Sequence, residues 1–408
     1  MNRRGRSRTG RAERAARPSV VVATRVYAPE PVAAAFRQEA LVRALQESGA
    51  DVTVLTTTVG RTSSGGRTSG AERPAGRVSR FPVKRDHQGQ VRGYLSYLSF
   101  DVPLALRLLL RRDVDAVVVE PPPTTGMVAL VICALRRIPY VFYAADVWSD
   151  ATDSVEGVPP FVRRAVRWME TIVWRRAARV LTISPGVQHR LEQLVGPRDG
   201  FVMVGNGIDT DTFTPDGSDA GEEGPYVVYA GTVSEWQGAE VFVDAFAAVR
   251  AEHPTARLLF FSEGSGREAL AERARAAGTD GIEFRDKIPP REVAAHLRGA
   301  VAGLSSITPG QGYEFALPTK IYAATACGTP VVHAGEGAAA ERIRDNALGW
   351  ACEHDAAAVA DALSRAIRGE GTPSREHLRR WTLSAASLSG CAARAAEQVL
   401  AATRRRLR

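Results

Sequence analysis

Two doubly wound α/β domains are the fold this sequence predicts, and three observations carry that reading. The chain has 408 residues, about twice the length of a common single domain. Short continuous apolar runs alternate with helical patterns in both halves, as they do where parallel strands are covered on both faces. Between the halves, Asn206–Pro225 is rich in Gly, Asp and Pro and interrupts the alternation.

The elements follow in order. Residues 1–17 are rich in Arg, Gly, Ser and Ala and read as a disordered arm. Ser19–Thr24 is the first buried strand. Val32–Glu47 places Phe36, Ala40, Leu41, Ala44 and Leu45 at helical spacing and is closed by Gly49. Asp51–Thr57 is the next strand, which completes a β-α-β unit. Thr58–Ala75 reads as a long loop. Strands are expected at Asp115–Glu120, Tyr140–Tyr143 and Arg179–Ile183, and helices at Leu95–Arg112, Thr124–Arg137 and Phe161–Ala177. After the linker, strands at Tyr226–Ala230, Arg257–Phe261, Gly281–Arg285, Val301–Ser305 and Pro330–His333 alternate with helices at Ala239–Glu252, Arg267–Ala277, Pro290–Gly299 and Pro318–Ala326. Closing helices at Ala356–Ile367 and Ala385–Leu407 either cap the second domain or return to the first. The domains are thus read as 18–205 and 226–384, joined by 206–225, with 385–408 as a closing helix and tail. Two such sheets would face each other across a cleft.

Composition narrows the function. A hydrophobic content of 45% and a charged content of 24% are ordinary for a globular protein. The net charge of +8 points at first to a polyanionic partner. Yet residues 1–17 carry seven Arg against Glu13, and the last five residues carry four more Arg. The body between is nearly neutral, so the basicity belongs to the tails, where it suits an anionic membrane surface. The tails lack interleaved aromatics, which argues against nucleic acid. The four cysteines form no C-x-x-C pair, which excludes a zinc ribbon and favours a reducing compartment. The histidines form no metal-binding set, and no metal or cofactor is expected. No signal-peptide core and no spanning helix are read, so the expected place is the cytoplasm, with contact at the inner membrane face.

The stretch Glu314–Val332, EFALPTKIYAATACGTPVV, carries the most chemistry. Pro318 suits the first turn of a helix, with Thr319 and Lys320 in the same turn. Backbone N–H groups, the helix dipole and an ammonium would then converge on a phosphate or diphosphate. The alternative is a solvated surface lysine. Glu263-Gly264-Ser265-Gly266 ends another strand, and its glycines allow a ligand close approach or merely make a tight turn. Asp146, after Tyr140–Tyr143, is placed to orient or deprotonate an acceptor hydroxyl, or else to cap a helix. Trp148 beside it offers a stacking surface. Phe161–Arg179 pairs an apolar face with six arginines and two tryptophans, either a membrane-surface helix or a domain helix with solvated cations.

The helix opening Pro-Thr-Lys followed by Ala326-Cys327-Gly328-Thr329-Pro330 resembles the retaining glycosyltransferases of family 4, which have the GT-B fold of two facing Rossmann-like domains. Tyr27-Ala28-Pro29-Glu30, Asp146-Val147-Trp148, Thr182–Gly186, Asn206-Gly207-Ile208-Asp209 with Phe213 and Pro215, Tyr229–Thr232 and Glu263–Gly266 are similar to further segments of that family, in the same order. There are departures. Ala323 stands where the family has a ribose-binding Glu, Phe315 where it has the partner Glu, with Glu314 one residue away. Thr232 and Gln237 replace the basic pair for the diphosphate, Ala33-Ala34 a Gly pair, and Ala145 a basic residue before the Asp. The resemblance implies sugar transfer, with retention, from a nucleotide diphosphate sugar to a glycan, lipid-linked or small-molecule acceptor. It implies Asp146 and Lys320 as catalytic residues. Donor contacts would come from Arg37, Gly231, Thr232, Gly264, Gly266, Glu314, Phe315, Leu317, Pro318, Thr319 and Lys320, and acceptor contacts from Tyr27, Glu30 and Trp148. The alternatives are a nucleotide-sugar epimerase and a binding protein that no longer catalyses.

Overall fold

The computed structural model describes residues 17–30, 32–59, 75–85, 91, 93–153, 158–264 and 266–404. The basic arm before Arg17, most of the 58–75 loop, Ser265 and the arginines after Arg404 lie outside the described residues. The chain divides into two units, the first running to Gly205 and resuming at Cys391, the second spanning Asn206–Gly390.

The first unit contains β1 (Ser19–Ala23), α1 (Ala33–Glu47), β2 (Asp51–Thr57), β3 (Arg77–Phe81), α2 (Tyr94–Leu110), β4 (Ala116–Val119), α3 (Pro123–Arg136), β5 (Tyr140–Ala144), α4 (Trp148–Asp153), α5 (Pro160–Arg176), β6 (Arg179–Thr182), α6 (Pro185–Val195) and β7 (Phe201–Met203). The strands form one sheet in the order β3-β2-β1-β4-β5-β6-β7, and all neighbours are parallel. The valine-rich runs are buried on both faces. Val21, Val117 and Phe142 pack under α2, α3 and α5, while Val20, Val52 and Val118 pack under α1. Sequence periodicity misses β3, because this edge strand has only Val78 and Phe81 among Arg and Ser and leaves Arg77, Ser79 and Phe81 exposed.

The second unit contains β8 (Tyr226–Thr232), α7 (Glu240–Glu252), β9 (Arg257–Glu263), α8 (Arg267–Ala277), β10 (Ile282–Arg285), α9 (Pro290–Gly299), β11 (Ala302–Ser306), α10 (Thr319–Ala326), β12 (Val331–Ala334), α11 (Ala338–Asp345), β13 (Gly349–Cys352), α12 (Ala356–Arg368) and α13 (Arg375–Ala385). Its parallel sheet runs β10-β9-β8-β11-β12-β13. Asn206–Pro225, expected as a linker, packs into this unit. Phe213 is buried in its core, and Glu222 binds Arg257 and Arg285, whose hydrogen bonds hold its carboxyl down at about 2.

The closing helical segment is two helices rather than one. The break falls at Ala386-Ser387, where the Ile208 N–H donates to the Ala386 carbonyl and the Leu388 N–H to the Ile208 carbonyl. The last helix, α14 (Leu388–Arg404), buries Ala392, Ala395, Ala396 and Val399 with the α1 side of the first sheet. Its small residues let it lie close to the strands.

Candidate functional site

In a doubly wound sheet, ligands bind beyond the carboxyl ends of the strands where the strand order reverses. In the second unit that place lies between β8 and β11. β8 ends at Gly231-Thr232, and Gly231 has φ of +130°, a left-handed conformation that a side chain would strain. Lys320, in the first turn of α10, reaches this strand end. Its Nζ lies 3.5 Å from the Thr232 carbonyl and 3.8 Å from the centre of the Tyr229 ring. No carboxylate pairs with it among the described residues, and burial pushes its pKa down to about 7. A half-buried ammonium with only a carbonyl and a ring for company is a poor structural device and a good anion receptor.

The neighbouring turns are built to leave this strand end open. Gly264, at φ +120°, ends β9 so close to the β8 turn that a Cβ would meet the Val233 carbonyl at 2.6 Å. A Cβ on Gly266 would press on the Val233 side chain at 3.0 Å. These two glycines therefore act through packing of the β8 turn. Gln237, which replaces a family cation, is buried and accepts from the Ser234 N–H and the Tyr229 hydroxyl, which pins the same turn. Pro318 is the N-cap of α10 rather than its first residue, and no side chain caps this helix start. Thr319 is exposed and Leu317 half-buried.

Glu314 differs from its expected role. Its carboxylate accepts from the Gly310 N–H at 2.6 Å and is held below the usual carboxyl range by the N–H groups of its own loop. Its carbonyl meanwhile accepts from Ala338. It braces the loop before α10 rather than standing free for a sugar. Phe315 is exposed, and the adjacent Tyr313 stacks on Trp236 with ring centres 4.8 Å apart. Sequence reasoning missed this aromatic pair, because the two residues come from different turns. The Ser305 and Ser306 hydroxyls at the end of β11 are buried without a hydrogen-bond partner among the described residues.

The corresponding strand ends of the first unit bring their buried charges together in pairs, although Gln38 Oε1 and Arg37 Nε have no hydrogen-bond partner among the described residues. The strand order reverses between β1 and β4. There Glu120 accepts from the Thr24 hydroxyl, from Gln38 Nε2 at 2.8 Å and from Arg37 at 3.4 Å. Arg37, expected as a diphosphate cation, is thus paired, and it also lies over the Tyr143 ring at 5.2 Å. Tyr27 and Glu30, expected at the acceptor, face inward. The Tyr27 side chain is fully buried and donates to the Ala75 carbonyl, and Glu30 is buried against Arg85 at 3.1 Å. Trp148 sits edge-on to Tyr97 with Arg25 over both rings, so one face of the indole is already in use.

Asp146 stands exposed just past the end of β5. The loop that carries it is held from below by Glu170 of α5, whose two carboxylate oxygens accept the Trp148 and Ser149 N–H groups at 2.8 Å each. Burial raises this carboxyl to about 7 against those hydrogen bonds. Glu170 was legible in principle, as an acid one helical turn from Val166 and Val173 on an apolar face. Asp150 forms a two-point ion pair with Arg190 at 2.8 Å. No group of three or more His, Cys, Asp or Glu that could hold a metal occurs among the described residues.

Comparison with known proteins agrees with this architecture. Residues 32–207 match the model of the glycosyl transferase 4-like domain, and residues 224–368 that of glycosyl transferases group 1. The chain belongs to this glycosyltransferase family. Over 229 residues it is 29% identical to a D-inositol 3-phosphate glycosyltransferase of Acidothermus cellulolyticus, covering 52% of this chain and 50% of the relative. Over 261 residues it is 26% identical to a GDP-mannose-dependent alpha-(1-6)-phosphatidylinositol monomannoside mannosyltransferase of Mycolicibacterium smegmatis, 56% of this chain and 68% of that protein. The chain thus spans about half the length of the first of these relatives. Among solved structures, sucrose-phosphate synthase from Thermosynechococcus elongatus superposes with a TM-score of 0.69 at 16% identity, covering 95% of this glycosyltransferase and 100% of that chain. Anabaena HepE, in complex with UDP and glucose, superposes with a TM-score of 0.70 at 14% identity, covering 94% and 100%. These likenesses establish the GT-B fold, two Rossmann-like domains.

Proposed function

We propose that this glycosyltransferase moves a sugar from a nucleoside diphosphate to an acceptor hydroxyl, with retention at the anomeric carbon. The observation that carries the reading is Lys320, a half-buried ammonium with no carboxylate partner, at the end of β8 beside Gly231 and an uncapped helix start. In this reading the donor diphosphate lies across Gly231, Thr232 and the Pro318–Lys320 turn. As the bond from the anomeric carbon to the diphosphate oxygen breaks, the electron pair leaves with the phosphate. Lys320 stabilises the charge that develops there. The acceptor oxygen bonds to the same carbon and gives up its proton, and in this reading Asp146 would orient or receive it. Phe315 and the Trp236–Tyr313 pair offer apolar faces to the base or the sugar. No metal is assigned a part. The names of the two relatives, one GDP-mannose-dependent and one a D-inositol 3-phosphate glycosyltransferase, support a nucleotide-sugar donor and leave the acceptor as a glycan, a lipid-linked glycan or a small polyol.

The test is incubation with UDP-, GDP-, dTDP- and ADP-sugars and an acceptor panel, with mass spectrometry of the products. A new glycoside whose formation needs both partners is the expected result. Free sugar and nucleotide formed equally well without any acceptor would overturn transfer in favour of an epimerase or hydrolase. Donor binding without any turnover would leave a binding protein.

A further inference from the structure

The outward side of the α2–α3–α5 layer carries an exposed apolar surface that contains none of the residues assigned to chemistry. On α2 every exposed residue among those described is apolar: Leu95, Leu98, Val102, Leu106, Leu109 and Leu110. Their spacing of three and four residues puts Leu95 to Leu109 on one stripe. The opposite stripe, Phe100, Leu104 and Leu108, is buried on the sheet. A surface helix normally turns a polar face to water, and this one does not. Helix α3 packs against α2, and α5 against α3. All three cover the same face of the sheet, the face of Val21, Val117 and Phe142. The outward side of that layer continues the apolar surface, with Val131 and Leu135 on α3 and Phe161 and Trp168 on α5. Leu135 is 72% exposed and Leu110 is 77% exposed, so these are not core residues with a visible edge. Single exposed leucines are ordinary, whereas a contiguous set across three neighbouring helices marks an interaction surface.

The charges say what covers it. On these three helices the exposed charged side chains, among the described residues, are Arg164, Arg167, Arg175 and Arg176. The two acids, Asp101 and Glu170, are buried. Among the described residues of these helices the surface therefore combines leucines, an exposed Trp and arginines with no exposed carboxylate, which complements an anionic interface with an apolar interior. A second copy of the chain would bring two arginine sets together, which disfavours self-association. No helix among the described residues is long and apolar enough to cross a bilayer.

We propose that the α2–α3–α5 face docks on an anionic lipid bilayer, with the α2 leucines inserted among the acyl chains and the α5 arginines at the lipid phosphates. The exposed residues of this face include none of those assigned to sugar transfer, and the proposal does not depend on the sugar-transfer reading, because its test reads binding alone.

The full chain is sedimented with vesicles of phosphatidylglycerol and phosphatidylcholine in equal parts, and with pure phosphatidylcholine, at low and high salt. High salt screens the purely electrostatic contribution of the Arg-rich tails and leaves apolar insertion in place. Wild type is expected to bind the anionic vesicles and to keep part of that binding at high salt. Leu98→Asp with Leu106→Asp should lower partitioning by roughly a hundredfold, about tenfold per leucine kept from the membrane. Arg164→Glu with Arg175→Glu should lower it at low salt. Both side-chain pairs are outside the core, so melting temperature and circular dichroism should match wild type, and Val102→Asp serves as an independent third substitution. The proposal is overturned if wild type does not sediment with anionic vesicles, or if these variants bind as wild type does. It is also overturned if light scattering shows a dimer that the leucine substitutions split while lipid binding is unchanged.

Discussion

The strand ends of the two units pose opposite electrostatic situations. In the first unit each buried charge has a partner: Glu120 holds Thr24, Gln38 and Arg37, Glu30 holds Arg85, and Glu170 holds two backbone N–H groups. In the second, Lys320 stands at the end of β8 with a carbonyl and a tyrosine ring. Charges paired in this way fix the shape of a loop. An ammonium that is desolvated and unpaired is a cost to the folded state that an arriving anion, or loss of the proton, removes. The contrast separates scaffold from receptor, and it also explains why Arg37, Tyr27 and Glu30 make poor ligand contacts although their sequence positions favour them.

Five experiments test that contrast. Lys320→Ala should cut transfer by about a hundredfold to a thousandfold, the loss typical of a group that stabilises transition-state charge, while the fold survives. Wild-type-like turnover with any accepted donor would remove Lys320 from the diphosphate. Glu120→Ala should act on stability instead, costing about 3 kcal/mol in urea unfolding, because it strands Arg37 and Gln38. A variant as stable as wild type would show that the first network is not the scaffold described.

Lys320→Met should stabilise the empty protein, the reverse of the usual mutation. The native lysine has its pKa lowered from 10.5 to about 7, so the folded state is penalised in full below pH 7 and not at all above 10.5. A rise of about 2–4 °C in melting temperature is expected near pH 6 and none near pH 10.5. For the same reason, donor binding to wild type should take up a proton and weaken as pH rises through 7, measurable by calorimetry in buffers of different ionisation heat. Smallest is the effect of Glu170→Gln. Burial raises the carboxyl from 4.5 to about 7. Its contribution to stability is therefore complete below pH 4.5 and lost as pH rises through 7. The stability difference between wild type and variant should shrink over that window, and a difference independent of pH would mean the carboxyl titrates normally.

Much of the fold was legible because buried parallel strands have no choice of composition. Val20–Val22 and Val117–Val119 are read as strands from their residues alone, and both are buried on both faces. The edge strand β3 was not legible, since an edge needs only half of its side chains apolar. Lys320 was legible as a helix-start lysine after Pro318. Its solitude was not, since sequence does not show what fails to come near. The same holds for Glu314: its position beside the expected donor site is visible in the chain, and its engagement by the Gly310 N–H is not.

The sequence by itself determined the alternation of strands and helices, the two halves, the family resemblance and the placing of excess positive charge in the tails. These depend on local period and residue order, which one chain displays directly. Only the tertiary structure decided which charges are consumed by others, which helix face stays uncovered and where the strand order reverses. Those are properties of groups far apart in sequence: Thr24 and Glu120 are 96 residues apart, and Thr232 and Lys320 are 88 apart. A desolvated charge becomes a site or a scaffold according to the neighbour that folding brings to it.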